Sequence, residues 1–171
     1  MPSVTLKAFV PGAGPAEVFT RLADFSAYPR YTSTVREVTV TELSDGAVAS
    51  HWAVNFRNGV LCWSEHDRVD PDALTIGFTQ TEGDFERFEG TWRVAAAGAD
   101  DDPCVRVDFT ATFDLGMPSL ASILDPVARQ ALSESIGLIL RGLFGRHTTV
   151  TGAVDATDAG AVGAPLPATG G

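Results

Sequence analysis

From Val4 to Leu115, apolar and polar positions mostly alternate, and glycines and prolines break the alternation at intervals. Ser3 to Phe9 sets Val4, Leu6 and Ala8 against Thr5, Lys7 and Phe9, which predicts a strand ended by Pro11-Gly12-Ala13-Gly14. Pro15 suits a first helical position, and Ala16 to Ala23 continues as a short helix with Val18, Phe19 and Leu22 inward. Asp24 is placed to cap a second short helix that Pro29 ends. Thr34 to Leu43 is β-branched and reads as a strand closed by Ser44-Asp45-Gly46. A further strand, Leu74 to Thr81, puts Leu74, Ile76, Phe78 and Gln80 on one face. A three-residue loop at Glu82-Gly83-Asp84 then pairs Phe78 with Phe88, Ile76 with Gly90 and Leu74 with Trp92. An acidic loop over Ala95 to Pro103 leads to a strand from Cys104 to Leu115, with Val105, Val107, Phe109, Ala111 and Phe113 on one face. Asp125-Pro126 reads as N-cap and first residue of a long helix to about Phe144, with Ser119 to Leu124 as a turn leading in. Val127, Leu132, Ile136, Ile139, Leu140 and Leu143 form its apolar stripe. Beyond Gly145 the periodicity stops. Gly, Ala, Thr and Pro dominate, so a folded domain over 1–145 is followed by a tail at 146–171 read as disordered.

The stretch Ser50 to Val69 carries the strongest hairpin signal, Asn58-Gly59. With these as the turn, Phe56 faces Leu61, Val54 faces Trp63, Trp52 faces Glu65 and Ser50 faces Asp67. The other face pairs Arg57 with Val60, Asn55 with Cys62, Ala53 with Ser64 and His51 with His66. One face is thus apolar and aromatic, the other mostly polar. Glu65 is the exception on the apolar side. A carboxylate buried there without a partner costs several kcal/mol or takes up a proton. The expectation is a cavity lined by this face, with Glu65 projecting into it.

Consecutive strands with short turns make an antiparallel meander, and only the last helix is long and apolar enough to cover it. An α+β fold follows, a curved sheet of six to seven strands around a long C-terminal helix, with a space left between them. Composition narrows the function. A formal net charge of −10 speaks against nucleic acid or an anionic membrane as partner. No apolar run reaches the ~18 residues a membrane span needs, and the N-terminus MPSVTLKAFVPG reads as no signal peptide, so a cytoplasmic location is expected. Cys62 and Cys104 make no disulfide framework, and no metal site or cofactor motif is read. Leu166 to Gly170 matches LPxTG but lacks the following apolar segment and basic end that a sorting signal carries.

Ala16-Glu17-Val18-Phe19, Tyr28-Pro29-Arg30-Tyr31, the hairpin from Trp52 to Asp67, Gly90-Thr91-Trp92-Arg93-Val94 and the terminal helix together resemble the helix-grip family, the START, Bet v 1 and polyketide cyclase group. The resemblance spans about Val4 to Phe144. Within the group the chain is most similar to bacterial polyketide aromatase/cyclases and to coenzyme-Q-binding proteins. It implies a poly-ketone folding in the cavity, delivered by an acyl carrier protein and closed by aldol condensation and dehydration. It also implies an arginine at the position of Arg68. The hairpin register turns Arg68, and likewise Arg57, to the face opposite Glu65, whereas Arg36 shares parity with Val38 and Val40.

Glu65 and Asp67 are therefore the candidate acid/base residues. Trp52, Phe56, Trp63, Phe78, Phe88 and Trp92 are candidate walls, while Gln80, Tyr28, Tyr31 and Arg36 are candidate polar contacts to substrate. Two functions remain open at this point. One is a cyclase, aromatase or dehydratase. The other is a non-catalytic carrier for a quinone, lipid or polyketide. For Glu65 the alternative is a carboxylate paired with an arginine that ties sheet to helix.

Overall fold

The computed structural model of the chain describes residues 1–152. Eight strands form one antiparallel sheet in the order β2-β3-β4-β5-β6-β7-β1-β8. They are β1 (Ser3–Pro11), β2 (Val35–Glu42), β3 (Ala47–Phe56), β4 (Gly59–Asp70), β5 (Thr75–Gly83), β6 (Arg87–Ala99), β7 (Asp102–Asp114) and β8 (Thr149–Gly152). The helices are α1 (Pro15–Ala23), α2 (Tyr28–Tyr31) and the long α3 (Ala121–Phe144). This is the helix-grip arrangement. The core lies between the inward sheet face and the helices, and Ile76, Val107, Phe113, Leu22 and Leu140 are completely buried in it.

The sheet has eight strands where six to seven were read. The extra one, β8, falls in the stretch taken as tail and pairs with the edge of β1, Ala8 opposite Val150. Residues from 153 onward, including the LPxTG match, lie outside the described residues. The acidic loop expected at 95–103 is mostly strand. β6 and β7 run on as a hairpin, Ala97 opposite Cys104, and turn only between Ala99 and Asp102. Pro29 does not end a helix. It sits in the first turn of α2, where its missing N–H is no loss, and Asp24 makes no side-chain cap to the 3₁₀ turn at Phe25–Ala27.

Helix α3 begins at Ala121, so Pro126 lies inside it rather than opening it. Its buried side runs through Ala128, Ala131, Leu132, Ser135, Ile139, Leu140 and Leu143, while Val127 faces solvent at 55% exposure. Small residues let the helix sit close to its neighbours. At Gly142 an added Cβ would fall 2.6 Å from the Tyr31 carbonyl oxygen and 2.7 Å from Thr32 Cβ, so only glycine allows α2 and α3 to touch there.

Both central hairpins keep the predicted faces but slip in register. In β3–β4, Trp52 pairs with Trp63, Ser50 with Glu65 and His51 with Ser64, and the turn is Arg57-Asn58, with Arg57 at φ 55°. Each partner differs by two residues from the register set by Asn58-Gly59. Because side chains alternate with period two, a slip of two leaves every residue on its expected face. The gain is specific: the indoles of Trp52 and Trp63 become direct cross-strand neighbours, stacked with ring centroids 6.1 Å apart and planes within 7°. The same slip occurs in β5–β6, where Phe78 pairs with Gly90 and Ile76 with Trp92. An added Cβ at Gly90 would collide with the Thr110 carbonyl oxygen, so glycine leaves the space that the Phe78 ring and β7 occupy there.

Candidate functional site

Between the inward face and α3 lies a cavity of about 50 Å³. Its aromatic wall is Trp52, Trp63, Phe78, Phe88, Trp92 and Phe109. Alternation puts these rings on one face, and their mutual contacts hold them there. Trp63 meets Phe88 edge-on at 5.5 Å, Phe78 stacks on Phe109 at 5.9 Å, and Trp92 lies 4.5 Å from Phe109. Phe25 and Tyr28 close the side below α1, and Leu132, Ser135, Ile136 and Ile139 of α3 form the roof. Phe56, Leu61 and Ile136 are the half-buried members, so the cavity comes nearest the surface between the β3–β4 turn and α3. Two polar contacts tie that turn region to the helix: Arg57 pairs with Glu134 at 3.5 Å, and Ser135 Oγ donates to the Asn55 carbonyl at 3.1 Å.

Glu65 stands in the wall at 5% exposure. Trp63 Nε1 donates to its Oε2 at 2.7 Å. Ser50 Oγ lies 3.4 Å from its Oε1 and 2.5 Å from Asp67 Oδ2, while Trp52 Nε1 donates to the same hydroxyl at 2.8 Å. Asp67 is 1% exposed and sits behind Glu65, outside the cavity lining, and its Oδ1 has no donor among the described residues. The ion pairs found among the described residues involve neither carboxyl. Burial first, then the charge of Asp67 and a hydrogen bond with it, push the Glu65 carboxyl well above the usual carboxylate range; Trp63 and Ser50 oppose this. Burial also raises Asp67, opposed by hydrogen bonds from Glu65 and Ser50 and by His66. A carboxyl held this way favours its protonated form and is placed to exchange a proton with a ligand.

The other sequence candidates divide. Phe56, Phe78, Phe88, Trp92, Trp52, Trp63 and Tyr28 all line the cavity. The Tyr28 hydroxyl is engaged, donating to the Leu22 carbonyl at 2.6 Å, and burial and the two carboxyls push its pKa up. Gln80 stands opposite Glu65 across the β4–β5 ladder, but it does not line the cavity. Its Nε2 donates to the Phe85 carbonyl at 2.8 Å and so holds the loop between β5 and β6. Tyr31 is 41% exposed and lies under the Arg21 guanidinium, 4.9 Å from the ring centroid, away from the cavity. Arg36 is exposed. A bulge in β2 between Val35 and Glu37 breaks the parity that pointed it inward, and its Nε donates to Asn55 Oδ1 at 2.6 Å. Arg68 is exposed on the outer face, beside His66 in a groove with Thr79, Glu89 and Thr91.

Sequence reasoning missed Ser50 as a member of the site, because the register expected from an Asn58-Gly59 turn set it against Asp67 alone. It also missed Ser135, whose helical spacing from Leu132 and Ile139 was the available signal. Among the described residues no helix is long and apolar enough to cross a membrane.

The fold is shared with solved structures. TTHA0849 from Thermus thermophilus is 27% identical, with a TM-score of 0.74 over 83% of this chain and 94% of that one. The Zhui aromatase/cyclase from Streptomyces sp. R1128 is 19% identical at a TM-score of 0.63, covering 83% of this chain and 92% of that one. A START superfamily protein from Mycobacterium smegmatis is 20% identical at a TM-score of 0.62, covering 84% and 96%. No curated protein sequence matches the chain. The sequence pattern described as polyketide cyclase / dehydrase and lipid transport matches residues 12–136, and the chain belongs to that family.

Proposed function

We propose that the protein is a polyketide cyclase/aromatase that takes an uncharged poly-ketone into the apolar cavity and closes a ring by acid-base chemistry at Glu65. The observation carrying this reading is Glu65 itself. Among the described residues it is the one ionisable side chain in the wall besides the engaged Tyr28 hydroxyl, and no lysine, arginine or histidine lines the cavity. A wall without cations disfavours carboxylate or phosphate ligands, and a protonated carboxyl favours a carbonyl or hydroxyl oxygen. In its ionised form Glu65 acts as base and takes a proton from a carbon between two ketones. The resulting enolate attacks a second carbonyl of the same chain, the new alkoxide takes the proton back, and loss of water completes the ring. A tethered intermediate implies an acyl carrier protein as the donor of substrate.

Glu65→Gln keeps the shape and removes the titration. In a reconstituted polyketide system the expected result is an altered product profile with the fold intact. An unchanged product made at an unchanged rate would remove the catalytic role. A second reading, a non-catalytic carrier of a quinone, lipid or polyketide, is favoured by the nearly all-apolar wall and by the lipid-transport part of the family description. Native mass spectrometry of the purified protein separates the two: a stoichiometric co-purifying hydrophobic molecule together with an inactive wild type supports the carrier.

A further inference from the structure

We propose that Glu65 and Asp67 form a carboxyl dyad holding one proton between them, in which Asp67 is a positioning residue that accepts and returns the proton Glu65 exchanges with a ligand. The proposal rests on the reading of Glu65 as the acid-base group and assigns the other half of its chemistry to a residue outside the cavity.

The geometry makes the case. Two carboxyl groups project from alternate positions of β4 onto the same buried face, both bracketed by the Ser50 hydroxyl at 2.5 and 3.4 Å. Trp63 N–H and Ser50 O–H are the donors that reach them, and the Trp52 N–H stabilises the serine oxygen rather than a carboxylate. Asp67 Oδ1 is buried without a donor among the described residues. Two full negative charges in this setting, with no ion-paired cation among the described residues, would repel each other at low dielectric. A proton on Glu65 removes one charge and supplies the hydrogen bond that Asp67 lacks. Of the surrounding titratable groups, His66 favours the charged form of Asp67 and so leaves the shared proton to Glu65. Tyr28 of α2 is neutral with its hydroxyl committed to Leu22, Asp24 lies beyond it, and His66 is on the outer face of the same strand. Across the ladder, Gln80 of β5 is uncharged.

The consequence is a relay. In the resting state the dyad carries one proton and one negative charge. When Glu65 takes a proton from a ligand carbon, its own proton passes to Asp67, so the dyad becomes neutral and the charge appears on the enolate. When the alkoxide formed by ring closure needs a proton, Glu65 gives it and recovers one from Asp67. Proton count and charge return to the start, and at no step does the dyad carry two negative charges.

Infrared difference spectroscopy of the full chain across a pH titration tests the dyad without any ligand, by following the C=O stretch of protonated carboxyls. In the wild type a protonated carboxyl is expected to persist well above the ordinary Asp and Glu range of about pH 4, and to belong to a two-step titration. Glu65→Gln and Asp67→Asn should each collapse this to one step, and in Asp67→Asn the remaining step should move toward the ordinary range. Ser50→Ala, which keeps both acids, should move the two steps relative to each other and serves if an acid variant fails to fold. Ordinary titration of both acids in the wild type would overturn the proposal. So would a Glu65 step unmoved by both Asp67→Asn and Ser50→Ala. A two-step titration alongside a Glu65→Gln variant of unchanged product profile would keep the dyad and remove the catalytic reading. The converse, loss of activity in Glu65→Gln with no coupling to Asp67, would keep the function and remove the dyad.

Discussion

Glu65 can be followed from parity to chemistry. Alternation from Trp63 puts it on the aromatic face, and burial there makes its charged form costly. Its carboxyl is raised in the folded protein above the ordinary 4.5, so the native state binds the extra proton. Stability is then greatest below the unfolded-state pKa and falls as pH rises through the raised folded value. Melting curves from about pH 4.5 upward should show a declining melting temperature, and Glu65→Gln should flatten the decline and be the more stable protein at its upper end. A second expectation concerns Trp63. Trp63→Phe keeps an aromatic ring but removes the donor to Oε2 at 2.7 Å. It should cost about 1–3 kcal/mol by chemical denaturation and push the Glu65 titration further up. Glu65 was legible from sequence because an acid in a run of aromatics breaks a pattern. Asp67, two residues on along the same strand, was legible by the same alternation. Ser50 was not, because it meets Glu65 only through the cross-strand register, and a slip of two residues is silent to face parity. Arg36 misled for a related reason: a β2 bulge resets parity, and nothing in Val35-Arg36-Glu37 announces it.

At the level of elements, the antiparallel meander and the long helix followed from periodicity, while the place of β1 beside β7 and the element ends did not. β8 is four residues of Thr, Val and Gly, too short to show a pattern, and only its docking against β1 defines it. A chain ended at Gly145 should therefore melt below one ended at Gly152, by about 2–4 °C for each kcal/mol of lost pairing, with Leu6 and Ala8 left at a bare sheet edge. The start of α3 was misplaced because Asp-Pro is a good opening pair; here helix packing tolerates Pro126 within the helix. The stripe was misread at Val127 because close packing is carried by Ala128 and Ala131, which a search for large apolar residues passes over. Gly142 shows the same logic at its limit. Gly142→Ala must part α2 from α3, and thermal denaturation should report a loss of about 1–3 kcal/mol, despite the better helix propensity of alanine.

The whole molecule presents a tension between a cavity of about 50 Å³ and the poly-ketone proposed to enter it. A water molecule needs about 10–15 Å³ by a comparable measure, so a larger guest must displace wall side chains. The half-buried Phe56, Leu61 and Ile136 are the members placed to yield, and Arg57 and Glu134 bridge across them. Both ends of that ion pair are about half exposed, so it contributes little to stability. Its effect should be kinetic. Glu134→Gln should take up the neutral probe Nile red faster in stopped-flow fluorescence while its melting temperature stays within about 2 °C of wild type.

The paired indoles of Trp52 and Trp63 offer one more use. Two indoles this near, with planes this nearly parallel, couple their strong electronic transitions, and their relative twist sets an exciton circular dichroism signal in the far ultraviolet that a lone ring lacks. Because one ring holds the acid and the other holds the serine behind it, the protein carries a built-in optical gauge. Any guest or proton that tilts either plane should be readable without a label.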